Sequence, residues 1–214
     1  MSNEFDSLQQ YIEEHTSDED EILYELYRET HLKAVNPRMI SGKVQGRFLQ
    51  LISQLIQPST ILEIGTFTGY SAICLARGLK PGGRLITIER NDELSAMAEK
   101  YFEKADLQDS IQLMTGHALD IIPGLTSRFD LVFIDGEKTE YLKYYQQVFP
   151  KLNLGGIIMA DNVLWGGKVV QPASIGDPET ASIKQFNEFV RNDKRVENII
   201  LGLRDGISLI RKIA

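Results

Sequence analysis

The chain has 214 residues, 43% hydrophobic and 25% charged, the proportions of an ordinary globular protein long enough to bury a full core in one domain spanning 1–214. Its net charge of −7 comes with no clustered block of Lys and Arg, which excludes a nucleic-acid footprint. No apolar run approaches the ~20 residues of a membrane span, and no charged start leads into the apolar stretch of a secretory leader, so no membrane partner is expected.

Residues 1–56 read as an N-terminal helical region. Phe5, Leu8 and Ile12, then Ile22, Leu23, Leu26 and Tyr27, then Phe48, Leu49, Leu51, Ile52 and Leu55 recur at three- and four-residue spacing. Ser17-Asp-Glu-Asp-Glu suits the first turn of a helix, because carboxylates favour its N-terminus. Asn36-Pro-Arg-Met-Ile-Ser-Gly breaks the pattern and predicts a loop. Tyr11, Ile12, Leu23, Tyr24 and Tyr27 are more apolar side chains than one packed face requires, which points to an interface.

Thr60 to Ile64 is a short apolar run broken only by Glu63, the pattern of a buried parallel strand. Gly65 and Gly69 follow, and Tyr70-Ser-Ala-Ile-Cys-Leu-Ala has helical spacing. Strand, glycine turn and helix form a cofactor cradle at the carboxyl end of a first strand. The dinucleotide fingerprint G-x-G-x-x-G is not met: Phe67 occupies its second glycine position, where a ring would block the close approach of a pyrophosphate. A carboxylate at Glu63 would also repel phosphate and attract a cation. The cofactor this suggests is S-adenosylmethionine, which carries an ammonium and a sulfonium and no phosphate. Cys74, the single cysteine, sits among Ala72, Ile73 and Leu75 and reads as a core residue; the absence of any internal disulfide favours a reducing compartment, the cytoplasm.

The alternation continues. Pro81-Gly-Gly is a turn and Arg84 to Glu89 a second strand. Asp92 to Ala105 predicts an amphipathic helix with Asp92 as N-cap. Ser110 to Met114 and Phe129 to Ile134 predict the third and fourth strands, and Glu140 to Leu152 a helix with Leu142, Tyr145, Val148 and Phe149 as its apolar stripe. Gly156 to Ala160 is a fifth strand, a polar loop spans 161–177, and Pro178 starts a helix to Val190. Val196 to Leu201 and Ile207 to Ile213, joined through Arg204-Asp-Gly, read as a hairpin. The expectation is an alternating α/β domain with a mostly parallel sheet and an antiparallel pair at its end.

Strand ends carry the remaining chemistry. Glu89 closes the second strand, where an acid can accept hydrogen bonds from both ribose hydroxyls. Ala118, in Gly116-His-Ala-Leu-Asp, is placed to offer a backbone N–H to an adenine ring, and His117 reads as an ordinary loop residue. Asp135 ends the fourth strand and Asp161-Asn162 the fifth, all on the sheet edge of Gly65. Two carboxylates and an amide are hard oxygen donors that suit an octahedral Mg²⁺ completed by water and substrate oxygens. Val163, Leu164 and Trp165 follow directly and serve either to wall an aromatic ring or to pack the core.

These stretches resemble the cation-dependent class I O-methyltransferases, the group that holds catechol and caffeoyl-CoA O-methyltransferases. The matching segments are Leu62-Glu-Ile-Gly-Thr-Phe-Thr-Gly-Tyr-Ser, Phe129-Asp-Leu-Val-Phe-Ile-Asp-Gly-Glu-Lys and Gly155-Gly-Ile-Ile-Met-Ala-Asp-Asn-Val-Leu-Trp-Gly-Gly, in an order that runs from about Arg38 to the C-terminus. The resemblance implies a Rossmann-like class I methyltransferase fold, with a seven-stranded sheet and extra N-terminal helices. It implies a divalent cation on Asp135, Asp161 and Asn162: Mg²⁺, with Ca²⁺ or Mn²⁺ as alternatives. It implies contacts to S-adenosylmethionine at Met39, Ser41, Glu63, Gly65, Thr66, Ser71, Glu89, Ala118 and Asp135, Lys138 as general base, and a homodimer. Gly136-Glu137 departs from the Ala-Asp usual in the caffeoyl-CoA branch.

A phenol, with pKa near ~10, is a poor nucleophile until ionised. A cation that chelates both oxygens of a vicinal diol stabilises the anion, so a small aromatic diol is the expected substrate. A lysine beside that cation would have its charged form disfavoured and could take the proton. Two other classes stay open at this point: a catalytically inactive cofactor-binding module, which the oxygen-donor triad argues against, and a nicotinamide-dependent dehydrogenase, against which Phe67 speaks.

Overall fold

The short apolar run Thr60–Ile64 decides how the centre of the molecule is layered. In this computed structural model, which describes residues 2–172 and 176–214, that segment is strand β1, with Ile61 facing one helical layer and Leu62 and Ile64 the other. The further strands are β2 (Arg84–Glu89), β3 (Ile111–Thr115), β4 (Phe129–Ile134), β5 (Leu152–Ala160), β6 (Val196–Leu201) and β7 (Ile207–Lys212). They form one sheet in the order β3-β2-β1-β4-β5-β7-β6. Five strands run parallel from β3 to β5, and β7 lies antiparallel to both β5 and β6. The predicted seven-stranded α/β sheet with its terminal hairpin is thus the observed one.

Helices cover both faces, as strands apolar on both sides require. On one side α2 (Glu21–Lys33), α3 (Gly42–Ile56), α4 (Tyr70–Ala76) and α5 (Ser95–Lys104) pack through Leu26, Leu49, Ile73, Cys74, Ala98 and Phe102 onto Ile61, Leu131 and Phe133. On the other, the short α6 (Ala118–Ile121) joins α7 (Tyr141–Val148) and α8 (Pro178–Asn192), which bring Tyr141, Tyr145, Ile183 and Phe186 onto Leu62, Val132 and Ile158. Fully buried side chains such as Leu26 and Phe186 each contribute about 1.5–3 kcal/mol. An N-terminal helix α1 (Ser2–Glu14) precedes these, and Asp20 caps α2 by accepting from Leu23 N at 3.1 Å. The side chain of Phe5 and residues 173–175 of the polar loop lie outside the described residues.

Several boundaries move, each for a local reason. Asn91, not Asp92, caps the segment after β2: its side chain accepts from Glu93 N, and Asp92–Leu94 forms a 3₁₀ turn ahead of α5. The expected helix from Glu140 to Leu152 is split. A 3₁₀ turn at Lys138–Glu140 leads into α7, and Pro150 closes it in a second turn, Phe149–Lys151, before β5 starts at Leu152. The buried stripe of α7 is Tyr141, Tyr144, Tyr145 and Val148, and Leu142 is only partly covered. Among the described residues no helix is long and apolar enough to cross a membrane.

Candidate active site

A staircase of backbone hydrogen bonds brings five loops to one edge of the sheet. Gly116 N donates to Glu89 O at 2.8 Å, Gly65 N to Ile88 O at 2.9 Å, Asp135 N to Ile64 O at 2.8 Å and Asp161 N to Ile134 O at 3.0 Å. Each bond continues a parallel ladder one residue past its strand, so the carboxyl ends of β3, β2, β1, β4 and β5 finish side by side. The chain switches sides of β1 between β3 and β4, which leaves a crevice at that point. A cavity of about 1130 Å³ opens there, lined by Met39, Gly65, Glu89, Ala118, Asp135, Lys138, Asp161 and Asn162 among others.

Gly65 is required by two facts. Its φ is +98°, and a Cβ there would stand 2.2 Å from the carbonyl oxygen of Asp135. Phe67 also adopts a positive φ, +51°, and its backbone N–H donates to Glu89 Oε2 at 2.7 Å. Asn91 N donates to the other oxygen, Glu89 Oε1, at 2.8 Å. The Glu89 carboxylate is therefore pinned at the cavity wall, and each oxygen keeps a lone pair to offer.

Ser41, Glu63, Thr66 and Ser71 are buried and do not line the cavity. Glu63 lies under the turn at 0% exposure; Thr87 Oγ1 donates to its Oε2 at 2.5 Å and itself meets Thr66 Oγ1 at 2.5 Å. Glu63 Oε1 has no hydrogen-bond partner among the described residues. Burial pushes this carboxyl up to about 8; the Thr87 hydroxyl pulls it back, and the charges of Asp135 and Glu89 add to the rise. A buried acceptor without a partner fits a site meant to receive a donor or a positive charge.

The oxygen donors meet at the ends of β4 and β5. Asp161 is 3% exposed and is pushed up to about 6, first by burial and then by the charge of Asp135. Asn162 N donates to Asp161 Oδ1 at 2.8 Å and Gln45 Nε2 to Asp161 Oδ2 at 2.6 Å. Lys138 Nζ lies 2.8 Å from Asp135 Oδ1 and 2.7 Å from the Tyr141 hydroxyl, which donates to Asp161 O at 2.9 Å. Burial pulls the Lys138 ammonium down, but Asp135 and Tyr141 outweigh it, so among protein groups alone Lys138 is held charged. Asp135, Asp161 and Asn162 all line the cavity at this edge, and carboxylate and amide oxygens are the donor types that hard cations take. Among the described residues no group of three His, Cys, Asp or Glu side chains gathers to hold a metal; the set read from the sequence has an amide, Asn162, as its third member.

The sequence pattern of an O-methyltransferase family matches residues 13–213. The chain belongs to the O-methyltransferase family. It is 37% identical over 206 residues to a catechol O-methyltransferase of Niastella koreensis, covering 94% of this chain and 92% of that one. It is 32% identical over 188 residues to caffeoyl-CoA O-methyltransferase 1 of Eucalyptus globulus, covering 82% and 76%. An O-methyltransferase from Bacillus cereus solved in complex with SAH shares the fold with a TM-score of 0.89 at 32% identity, covering 96% of this chain and 97% of that one.

Within this O-methyltransferase, Val163 is core, and Trp165 both packs against that core and lines the cavity. His117 is more than a plain loop residue: it lines the cavity and pairs with Glu140 at 2.9 Å, and Glu140 also accepts from the Tyr144 hydroxyl at 2.7 Å. Sequence reading missed Gln45, Thr87 and Tyr141. Gln45 left one signal, an amide on the buried face of α3 with Gly46, Leu49 and Ser53. Thr87 and Tyr141 left none, since threonine in a strand and tyrosine in a helix stripe read as packing.

Proposed function

We propose that this methyltransferase uses S-adenosylmethionine and a divalent cation to methylate one hydroxyl of a small aromatic vicinal diol, a catechol or caffeoyl-type acceptor. The observation that carries the reading is the pair Asp135 and Asp161, with Asn162, at the mouth of a cavity whose other wall is the Gly65 turn and Glu89. S-adenosylmethionine supplies an electrophilic methyl on a sulfonium, and a cation held by Asp135, Asp161 and Asn162 supplies Lewis-acid stabilisation of a phenolate oxygen. The chain's own residues do the rest. Glu89 holds ribose hydroxyls, the Ala118 N–H meets the adenine, and Met39, Ser41, Gly65, Thr66, Ser71 and Asp135 shape the cradle. Glu63 offers its unpartnered oxygen to positive charge behind it.

Lys138 takes the phenol proton in this reading. Burial already favours its neutral form, and the opposing charge of Asp135 is what a ligand role for Asp135 withdraws. Trp165 walls the acceptor ring, and Gly166 and Gly167, both at positive φ, turn the chain directly after it. The acidic balance disfavours a strongly anionic acceptor, so a free catechol fits better than a CoA thioester. The protein acts in the cytoplasm, consistent with its free buried Cys74, and as a homodimer through the exposed Tyr11, Tyr24 and Tyr27 of α1 and α2.

Methyl transfer measured on a dihydroxyphenyl compound and its monohydroxy analogue, with and without EDTA, tests the reading. Turnover on the diol, loss of it in EDTA or in Asp161→Ala, and at least tenfold slower reaction of the monohydroxy compound are expected. Equal rates on both acceptors would remove chelation from the mechanism, and full turnover in EDTA would remove the cation.

A further inference from the structure

We infer that Gln45 is a positioning residue that orients the Asp161 carboxylate, and that Arg204 locks Gln45 in turn. The inference rests on the proposed role of Asp161 as a cation ligand. Gln45 lies on the buried face of α3 at 1% exposure, where an amide is costly unless its polar atoms are paired. Both ends are paired: Nε2 donates to Asp161 Oδ2 at 2.6 Å, and Oε1 accepts from Arg204 Nη1 at 2.9 Å.

The chemistry of the two partners admits one orientation of the amide. A guanidinium only donates and an ionised carboxylate only accepts, so a flipped Gln45 would set donor against donor and oxygen against oxygen. Asn162 N holds the other oxygen, Asp161 Oδ1, at 2.8 Å. With an N–H on each oxygen the carboxylate cannot rotate, and the lone pairs left over have a fixed direction. Such outer partners set ligand orientation in metal sites. Arg204 has a second duty. The two N–H of its Nη1 are shared among three oxygens, Gln45 Oε1, Ile40 O at 3.1 Å and Ser41 O, so the same guanidinium fastens the loop ahead of α3 that carries Met39 and Ser41. Gln45 therefore belongs to the cation arm alone, and Arg204 to both the cation arm and the cofactor loop.

Calorimetric titration of the full chain with Mn²⁺, and separately with S-adenosylmethionine, tests this without reading activity. Gln45→Met keeps volume and removes both hydrogen bonds. It is expected to raise the Mn²⁺ dissociation constant at least about 10-fold while leaving that of S-adenosylmethionine within about 3-fold. Arg204→Met is expected to weaken both ligands. A merely structural Gln45 would move neither constant, or both together. Wild-type Mn²⁺ affinity in a folded Gln45→Met would overturn the inference while leaving the cation reading intact. If the wild type binds no Mn²⁺, or Asp161→Ala binds it equally well, the cation reading fails and this inference with it. Should thermal melting show Gln45→Met unfolded, Arg204→Met decides: unchanged Mn²⁺ affinity there overturns the proposal.

Discussion

Glu63 is a buried acid whose ionisation would cost the folded protein stability. It is fully buried, its Oε1 has no hydrogen-bond partner among the described residues, and its carboxyl is pushed up to about 8 by burial, against the pull of Thr87 and Ser71. The sign of the consequence follows. Between the unfolded value near ~4.3 and about 8 the folded state holds a proton that the unfolded state has lost, so stability falls as pH rises through that window. Glu63→Gln removes the titration and keeps the shape. The melting temperature of this variant relative to wild type is expected to rise steadily from pH 5 to pH 8, measured by circular dichroism in matched buffers. A difference that stays constant over that range would mean Glu63 is not held protonated. The same variant is expected to bind S-adenosylmethionine more weakly at neutral pH, because it cannot ionise toward a cation.

At the scale of elements, the site depends on how closely the ends of β1 and β4 approach. The carbonyl of Asp135 passes so near Gly65 that a Cβ would stand at 2.2 Å, and the φ of +98° suits no L side chain. Gly65→Ala must therefore either spread the two strand ends or twist the turn. A loss of about 2–4 kcal/mol by urea unfolding is expected, with cofactor affinity falling at least tenfold. A variant as stable as wild type would show that the turn has room that these strand ends do not leave. Gly69 is held in the same way by the Phe102 ring of α5, 2.7 Å from the place of a Cβ, so the turn is fitted to its sheet neighbour on one side and a helix on the other.

For the whole molecule, the sheet leaves one layer of α1 and α2 with apolar side chains facing outward. Leu8, Tyr11, Tyr24 and Leu32 are all more than half exposed, from 52% for Tyr24 to 79% for Leu32. Such a surface is characteristic of a covered interface. Sedimentation at micromolar concentration is expected to give a species of twice the 24.2 kDa of one chain. A single 24.2 kDa species would count against a homodimer. A Tyr24→Lys, Tyr27→Lys double variant is expected to shift the distribution toward monomer without unfolding, since both side chains are already solvent-facing.

The sequence alone determined the alternating strands, their two-sided apolar faces and the oxygen donors at their ends. Those features follow from local rules: short apolar runs bounded by turns, glycine where the chain turns sharply and the place of polar residues after a strand. β1, β2, β4 and β6 run over the residues predicted for them, because each is a bounded apolar run whose ends are marked by turns or polar residues. The split of the helix after Asp135 into two 3₁₀ turns and α7 was not legible, since the turns are set by the packing of Tyr141 and Tyr144 and by Pro150. Only the tertiary structure decided that Glu63 is sealed with Thr87 on one oxygen and no partner on the other among the described residues, that Lys138 is held by both Asp135 and Tyr141, and that Gln45 reaches Asp161. Gln45 and Asp161 stand 116 positions apart, and Arg204 is 159 beyond Gln45. No local pattern encodes such meetings. They arise when α3 packs against the sheet edge and the β6–β7 turn folds over both.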